Sequence, residues 1–393
     1  MSWPMVRFGD VAQIVTGSTP KAFDENFDGD IPFVTPGDLG ELADIHQAKR
    51  SLSALGAASV RTVPKRSVMV CCIGATIGKV GFTTRDVATN QQINTLVFDE
   101  KIIFPKYAYY YCLTIKSLLV SKSSSTTMPI VNKSNFSDLK MPVPFLGLPS
   151  KSLAEQKRIA AILDKADAIR RKRKQVIKLA DDFLRSVFLD MFGDPVTNPK
   201  GWEVGTFLDI CELNPKASKH SDDTEVSFVP MPSVSVSSHL LDASDIRLYS
   251  DVKKGFTSFF ENDVLFAKIT PCMENGKAAI ATGLKNNIGF GSTEFHVFRP
   301  QDIRYAPYIY SLLHLPLFRK IAANNFSGAV GHKRVPKDFL LSFELMLPPK
   351  DLISKFKNIF ETVNDNKSKL DIYVVGGDEL FNSLSQKAFA GKL

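Results

Sequence analysis

The chain has 393 residues, 44% of them hydrophobic and 23% charged, and a formal net charge of +8. That balance supplies ordinary buried cores over two or more domains. Its basic excess favours a polyanionic partner, because Lys and Arg near phosphates release condensed counterions; a charge held for solubility is the plainer alternative. Five cysteines, odd in number, without C-x-x-C spacing and with Cys71 and Cys72 adjacent, exclude a disulfide framework and read as reduced core residues of a cytoplasmic protein. The first residues lack a basic segment followed by an apolar run, and no stretch approaches the roughly 18 apolar residues of a membrane span, so secretion and membrane insertion are not expected.

Taken in order, strand-like runs fall at Ile31 to Val34, Val68 to Ile73 and Ile93 to Phe98, separated by polar, Gly-rich loops, and a helix is expected around Tyr107 to Leu119. A long helical pattern then occupies 151–193. After it the chain restarts: Trp3 to Phe8 resembles Trp202 to Phe207, 199 positions later, and Phe33-Val34 before Thr35-Pro36-Gly37-Asp38-Leu39 matches Phe228-Val229 before Pro230 to Val234. Strands recur at Val226 to Val229, Val264 to Ile269 and Phe295 to Phe298, a helix around Pro307 to Phe318, and a second long helix over 350–393. Both copies carry a loop ending in Gly-Lys, at Gly78-Lys79 and Gly276-Lys277. The fold class is α+β: a two-fold internal repeat of a mixed domain (1–150 and 194–349), each followed by a long helix.

In the first helix Ile162, Ala166, Ile169, Arg173, Val176, Ala180, Phe183 and Val187 fall at steps of four and three. Ile359, Val363, Asn366, Leu370, Tyr373, Gly377, Leu380 and Leu384 repeat them 197 residues later. Such steps mark a coiled-coil seam, and the matched seams predict that the helices pair antiparallel within one chain. Pro149 and Pro348-Pro349 signal the starts and Phe192-Gly193 the first stop; Gly376-Gly377 is a place where the second helix could kink. Repeat offsets vary through the domains but stay at 197 along the helices, which reads as a ruler of about 60 Å for some 40 residues at 1.5 Å each. Two helices that merely join the halves are the plainer alternative.

Candidate contacts lie in the loops. Gly74 to Val80 has only three residues between its glycines and Val after the Lys, so it fails as a nucleotide-binding P-loop. Backbone N–H groups freed by glycine, with Thr76 and Lys79, would still suit a DNA phosphate. Asn90, Gln91 and Gln92 place amides at a strand mouth, where they can pair with an adenine edge or simply cap a turn. The turn of Thr35, Gly37 and Asp38 and the polar loops holding Ser124, Thr126, Asn132 and Lys133 complete the first set. Met231, Ser233, Lys268, Thr270, Asn275, Lys277, Ser292, Thr293, Glu294, His332, Lys333 and Arg334 form the second, with solvated loops as the alternative for each. The run Arg170-Arg171-Lys172-Arg173-Lys174 could touch DNA along the rod or form a solvated or ion-paired face. No metal-ligand cluster, G-x-S-x-G elbow or H-E-x-x-H helix is present in the sequence.

Thr16-Gly17-Ser18-Thr19-Pro20, the Thr35 to Leu39 turn, Ile73 to Lys79, and Leu153-Ala-Glu-Gln-Lys-Arg-Ile-Ala-Ala-Ile-Leu-Asp164 closely resemble the specificity subunit of type I restriction-modification systems. The resemblance extends to Asn382 to Leu384 and Ala388 to Gly391. It implies two target recognition domains that each bind one half of a bipartite, asymmetric sequence in double-stranded DNA. The helices 151–193 and 350–393 then set the unread spacer. It also implies a non-catalytic subunit without a cofactor of its own, assembled with two adenine-methylating methyltransferase subunits and with two ATP-dependent restriction subunits. Two rival readings are a stand-alone methyltransferase, although Asn214-Pro215-Lys216 is not the base-holding Asn-Pro-Pro-aromatic stretch, and a scaffold that reads no DNA.

Overall fold

The computed structural model describes residues 3–40, 44–124, 129–195, 197–236, 238–328 and 333–393, with the backbone alone for 370–377. It divides into two compact units. Unit 1 comprises Met1–Lys174 and Ile372–Leu393, and unit 2 comprises Gln175–Asp371. Each unit therefore holds one mixed domain, the first part of the helix that follows it, and the last part of the other long helix. Among the described residues no helix is long and apolar enough to cross a membrane.

Unit 1 carries a five-stranded sheet in the order Ala12–Thr16, Ile93–Phe98, Val68–Cys71, Val80–Thr83, Asp44–Ile45. A second sheet holds Ser51–Leu52, Phe27–Val34, Val87–Thr89 and Thr62–Val63, with Phe27–Val34 and Val87–Thr89 parallel. Unit 2 repeats the plan. Its first sheet runs Cys211–Leu213, Phe295–Pro300, Val264–Ala267, Ala278–Ile280, and in its second Glu225–Val229 lies parallel to Ile288–Gly291. The repeat read from sequence is thus a repeat of strand order. The helix expected around Tyr107 to Leu119 is two, Pro105–Thr114 and Lys116–Ser121. Its counterpart is also two, Tyr305–His314 and Pro316–Asn324, because Pro316 lacks the N–H needed to continue a helix and suits the start of a new one.

The helices Pro149–Phe192 and Lys350–Phe389 close both cores. Gly193, at φ +86°, ends the first, its N–H donating to Leu189 O; Gly376 and Gly377 fall inside the second. In unit 1 Ile159, Leu163, Phe381 and Ala388 join Phe8, Tyr107 and Tyr110 in one core. In unit 2 Leu184, Phe188, Phe192, Phe356 and Phe360 surround Tyr308, which stacks on Phe188 at 5.4 Å. Gln156, from the Ala-Glu-Gln-Lys-Arg-Ile stretch, is fully buried and clamps domain to helix: it accepts from Phe104 N at 2.8 Å and donates to Ile102 O at 3.0 Å.

Within each unit the helix segments are antiparallel. Arg158 reaches Leu393 O while Arg170, further along, meets Asp378; in unit 2 Asp181 meets Lys367 and Phe188 meets Phe356. The buried seam, however, is one residue out of phase with the expected one. Ile169, Val176, Phe183 and Leu380 are 52%, 46%, 52% and 57% exposed, and the buried positions include Ile159, Leu163, Asp167, Leu184, Phe188, Phe356, Phe360, Asn364, Lys367 and Phe381. Leu370, Tyr373 and Gly377 lie outside the described side chains. The true seam carries charge at its middle, so counting apolar residues selects the neighbouring stripe. Arg170 to Asp378 (3.6 Å) and Lys367 to Asp181 (2.6 Å) are the same pair in the two repeats, since Arg170 and Lys367, like Asp181 and Asp378, stand 197 positions apart.

Lys367 has only 5% of its side chain exposed, and its carboxylate partner fixes which layers meet. Asp181→Ala is expected to cost about 1 to 3 kcal/mol in urea unfolding, between the surface and buried limits for such pairs; Lys367→Met, which keeps the stem and removes the charge, should cost less, and the reverse order would contradict a buried-cation origin. A second expectation concerns acid. Burial, the largest cause, pushes His239 and His296 down to about 4, so unit 2 holds them neutral. A histidine pKa depressed on folding contributes stability that is full above the unfolded value near 6.5 and is lost as pH falls toward 4. The only histidine of unit 1, His46, is exposed. Hydrogen exchange at pH 7 and pH 5 should show protection falling first in unit 2; loss first in unit 1 would refute this.

Candidate nucleic-acid interface

In unit 1 the predicted loops converge on one end of the main sheet. Asn90 N donates to Val34 O, beside the Thr35 turn; Cys72 N donates to Gln92 O, Gly74 N to Pro129 O, Val131 N to Cys72 O and Ser124 N to Ile130 O. Lys79 lies along Gly40, with which a Cβ would make ordinary contact at 3.7 Å. The amides are organised: Asn90 Nδ2 donates to Gln92 Oε1 at 3.0 Å, Asn90 Oδ1 accepts from Gln92 N at 3.2 Å, and Thr19 Oγ1 donates to the exposed Gln91 at 2.6 Å. Gly37, Ser124, Asn132 and Lys133 are exposed, whereas Thr76 and Lys79 are half-buried.

Several residues of this set hold the loops. Asp38 accepts from Thr35 N and Oγ1 at 2.8 and 2.7 Å and from Lys49 N at 3.0 Å, and Asn132 caps the helix Lys133–Ser137 by accepting from Asn135 N. The loop Gly74 to Lys79 is not the open cradle expected. Its Gly74, Ile77, Gly78 and Lys79 N–H groups donate to Pro129, Gly74, Cys71 and Thr76 carbonyls, because two left-handed glycines, at φ +87° and +84°, fold it back on itself.

Unit 2 assembles the same frame with other chemistry. Lys268 N donates to Glu294 O and Val335 N to Lys268 O, as Cys72 does with Gln92 and Val131; Ile269 bridges Arg334 as Ile73 bridges Ile130. Cys72, Gln92 and Ile130 of one repeat are therefore Lys268, Glu294 and Arg334 of the other. Arg334 and Glu294 form a forked pair, Nη2 to Oε1 at 2.7 Å and Nε to Oε2 at 2.9 Å, which holds the Glu294 carboxyl below its ordinary range. Lys277 Nζ donates to Met231 O at 2.9 Å, joining the Met231–Ser233 turn to the Gly-Lys loop, and Thr270 N donates to Lys333 O. Asn275, Thr293 and Lys333 are exposed; Ser233 and Ser292 are half-buried, the latter accepting from Glu294 N. Thr126 and His332 lie outside the described residues.

The run Arg170 to Lys174 is chiefly structural. Arg170 and Arg171 grip the buried Asp167, Arg171 also donates to Tyr109 at 3.1 Å, Arg170 lies over Phe381, and Lys174 pairs with Asp378 at 3.0 Å. A carboxylate buried in the seam recruits the cations, and Lys172 and Lys174 are the exposed members of the run. The cysteines are free and mostly buried, and burial pushes Cys72 and Cys211 up to about 12, far from reactive thiolates.

Two solved structures share this fold across nearly the whole chain. One is the S subunit of a type I restriction-modification system from M. genitalium, at TM-score 0.58 and 13% identity over 99% of this chain and 96% of that one. The other comes from work titled as the structural basis of complex assembly and conformational transition of the type I R-M system, at TM-score 0.51 and 15% identity over 100% and 98%. Among curated relatives, the type I restriction enzyme EcoAI specificity subunit of Escherichia coli is 44% identical over 156 residues, 39% of this chain and 26% of that protein. The EcoEI specificity subunit of the same organism is 35% identical over 198 residues, 49% and 31%. The matched stretches thus span about a quarter to a third of those relatives. The family model described as type I restriction modification DNA specificity domain matches residues 2–179 and again 199–370, and with both repeats so covered, the chain belongs to that family.

Proposed function

We propose that this chain is the DNA-specificity subunit of a type I restriction-modification complex, with residues 1–150 and 194–349 as two target recognition domains for the halves of a bipartite, asymmetric sequence. The observation that carries the reading is the pair of matched triads. One backbone frame carries Gln92 and Ile130 beside the buried Cys72 in the first repeat, and Lys268, Glu294 and Arg334 in the second, which is the pattern of two readers built for different bases. Amides suit an adenine edge, and a guanidinium suits guanine. The exposure of Lys133 and Lys333 beside the triads supports a role for both in contacting phosphate.

The helices 151–193 and 350–393 set the unread spacer, for which the constant 197-residue offset is the support. The subunit has no catalytic activity of its own and directs adenine methylation by two methyltransferase subunits, and cleavage by two restriction subunits. An apolar stripe left exposed on the unit 2 part of the central helix supports the assembly: Val176, Leu179 and Phe183 are each about half exposed.

Methylome sequencing of a host carrying this gene with its methyltransferase gene should give a bipartite adenine motif that vanishes when this gene is removed; unchanged methylation by an assembled complex would sink the reading. In the same assay Gln92→Ala should alter one half of the motif alone and Arg334→Ala only the other. Lys333→Ala should instead weaken the assembled complex on all sequences, lowering the salt slope of binding by about 1; a changed motif would make it a base reader.

A further inference from the structure

One of the differences between the cores of the two repeats leaves a space. Tyr107 and Tyr308 are equivalent, since each buried hydroxyl donates to the carbonyl of the matched strand, Pro142 O at 2.8 Å and Met346 O at 2.7 Å. Three residues on, Tyr110 therefore corresponds to Ser311. In unit 1 the Tyr110 ring packs 6.0 Å from Phe381 and its hydroxyl donates to the Asp164 carboxylate at 2.5 Å. In unit 2 Ser311 leaves that space open as a cavity of about 200 Å³, walled by Leu184, Phe188, Tyr310 and Phe360, with Asp182 among its lining.

We propose that this cavity is a socket for a phenolic side chain presented by a partner protein. The first repeat supplies the precedent, because there the chain's own tyrosine fills the place and satisfies its hydroxyl on a carboxylate. The size fits, since a cavity of about 150 Å³ already takes benzene. The walls offer ring edges and faces to an aromatic guest, and the half-exposed Asp182, though it accepts from Arg185, keeps lone pairs for a hydroxyl. A protein occupant, rather than a free phenol, follows from the surroundings. Val236, part of the lining, is 50% exposed, and Leu179 and Phe183 on the helix segment that carries Asp182 and Leu184 are 56% and 52% exposed, apolar surface that a macromolecule would cover. The partner is the methyltransferase subunit, which rests on the function proposed above.

The test titrates p-cresol into the full chain and follows aromatic NMR signals. Saturable one-to-one binding that shifts Tyr310 and Phe360 is expected in the wild type and should be lost in Ser311→Tyr, which rebuilds the first repeat's filling. The same variant should bind the methyltransferase subunit at least ten-fold more weakly. Leu184→Trp, filling the space from the helix, replaces it should Ser311→Tyr not fold. Absence of saturable p-cresol binding to the wild type overturns the socket, and so does undiminished assembly by a folded variant that excludes p-cresol. A wild-type chain that binds p-cresol but no methyltransferase subunit overturns the assembly reading and, with it, this choice of partner.

Discussion

Each unit of this chain has a core completed by a helix end that follows the other domain. Unit 1 buries Phe381 and Ala388 from the C-terminal helix, and unit 2 buries Leu184, Phe188 and Phe192 from the central one. Removing either set would expose a hydrophobic face and break up the aromatic cluster around Tyr308, or the contact of Phe389 with Tyr107 at 5.4 Å. Hydrophobic burial supplies the force, but it is indifferent to a slip of one turn. The charges in the seam are not indifferent. Lys367 is too deeply buried to be left without its carboxylate, and Asp167, almost fully buried, holds two arginines. Apolar packing gives the helix segments their affinity, and the charges give them their register.

This division explains what could be read from the sequence. The repeat was legible because Trp3 and Trp202, and the strands that contain Phe98 and Phe298, keep their spacing and apolar character. The existence of the two helices and their antiparallel pairing were legible for the same reason. The seam itself was not. Its middle is occupied by Asp167, Arg170, Asn364 and Lys367, residues that a search for buried positions discards, while Ile169, Val176 and Phe183 offer a stripe of the same period one residue away. Two stripes with one spacing cannot be separated by periodicity alone. Pairing within each unit buries one stripe and leaves the residues of the other about half exposed.

The candidate interface divides along similar lines. Which loops meet was legible, because each is a polar insertion at the same point of a repeated strand order. Asn90, Gln92 and the Gly-Lys loop do come together, and so do Lys268, Glu294 and Arg334. What each side chain does there was not, since short-range hydrogen bonds compete for the polar groups. Asp38 closes its own turn, Asn132 caps a helix, and the glycines of Gly74 to Lys79 bend the backbone so that the Gly74, Ile77, Gly78 and Lys79 N–H groups meet carbonyls. The cavity beside Ser311 left no trace in any local pattern. It becomes visible only when the repeat is superposed on itself and a tyrosine is found missing.

The same comparison separates what the fold must keep from what it is free to change. The hydrogen bonds that link Cys72 to Gln92 and Val131 recur at Lys268, Glu294 and Val335, and every one of them is made by backbone atoms. The frame therefore makes no demand on the side chains at those positions beyond their size and their approach to the strand ends. Cys72, at the buried extreme, is held by a neighbouring amide; Lys268, in the same place, stays half-exposed because its length carries the charge outward. A framework stabilised by main-chain bonds can exchange an amide for a carboxylate–guanidinium pair without disturbing a strand. That freedom is exercised twice in one polypeptide, with an amide pair at Asn90 and Gln92 in one repeat and a forked ion pair at Glu294 and Arg334 in the other.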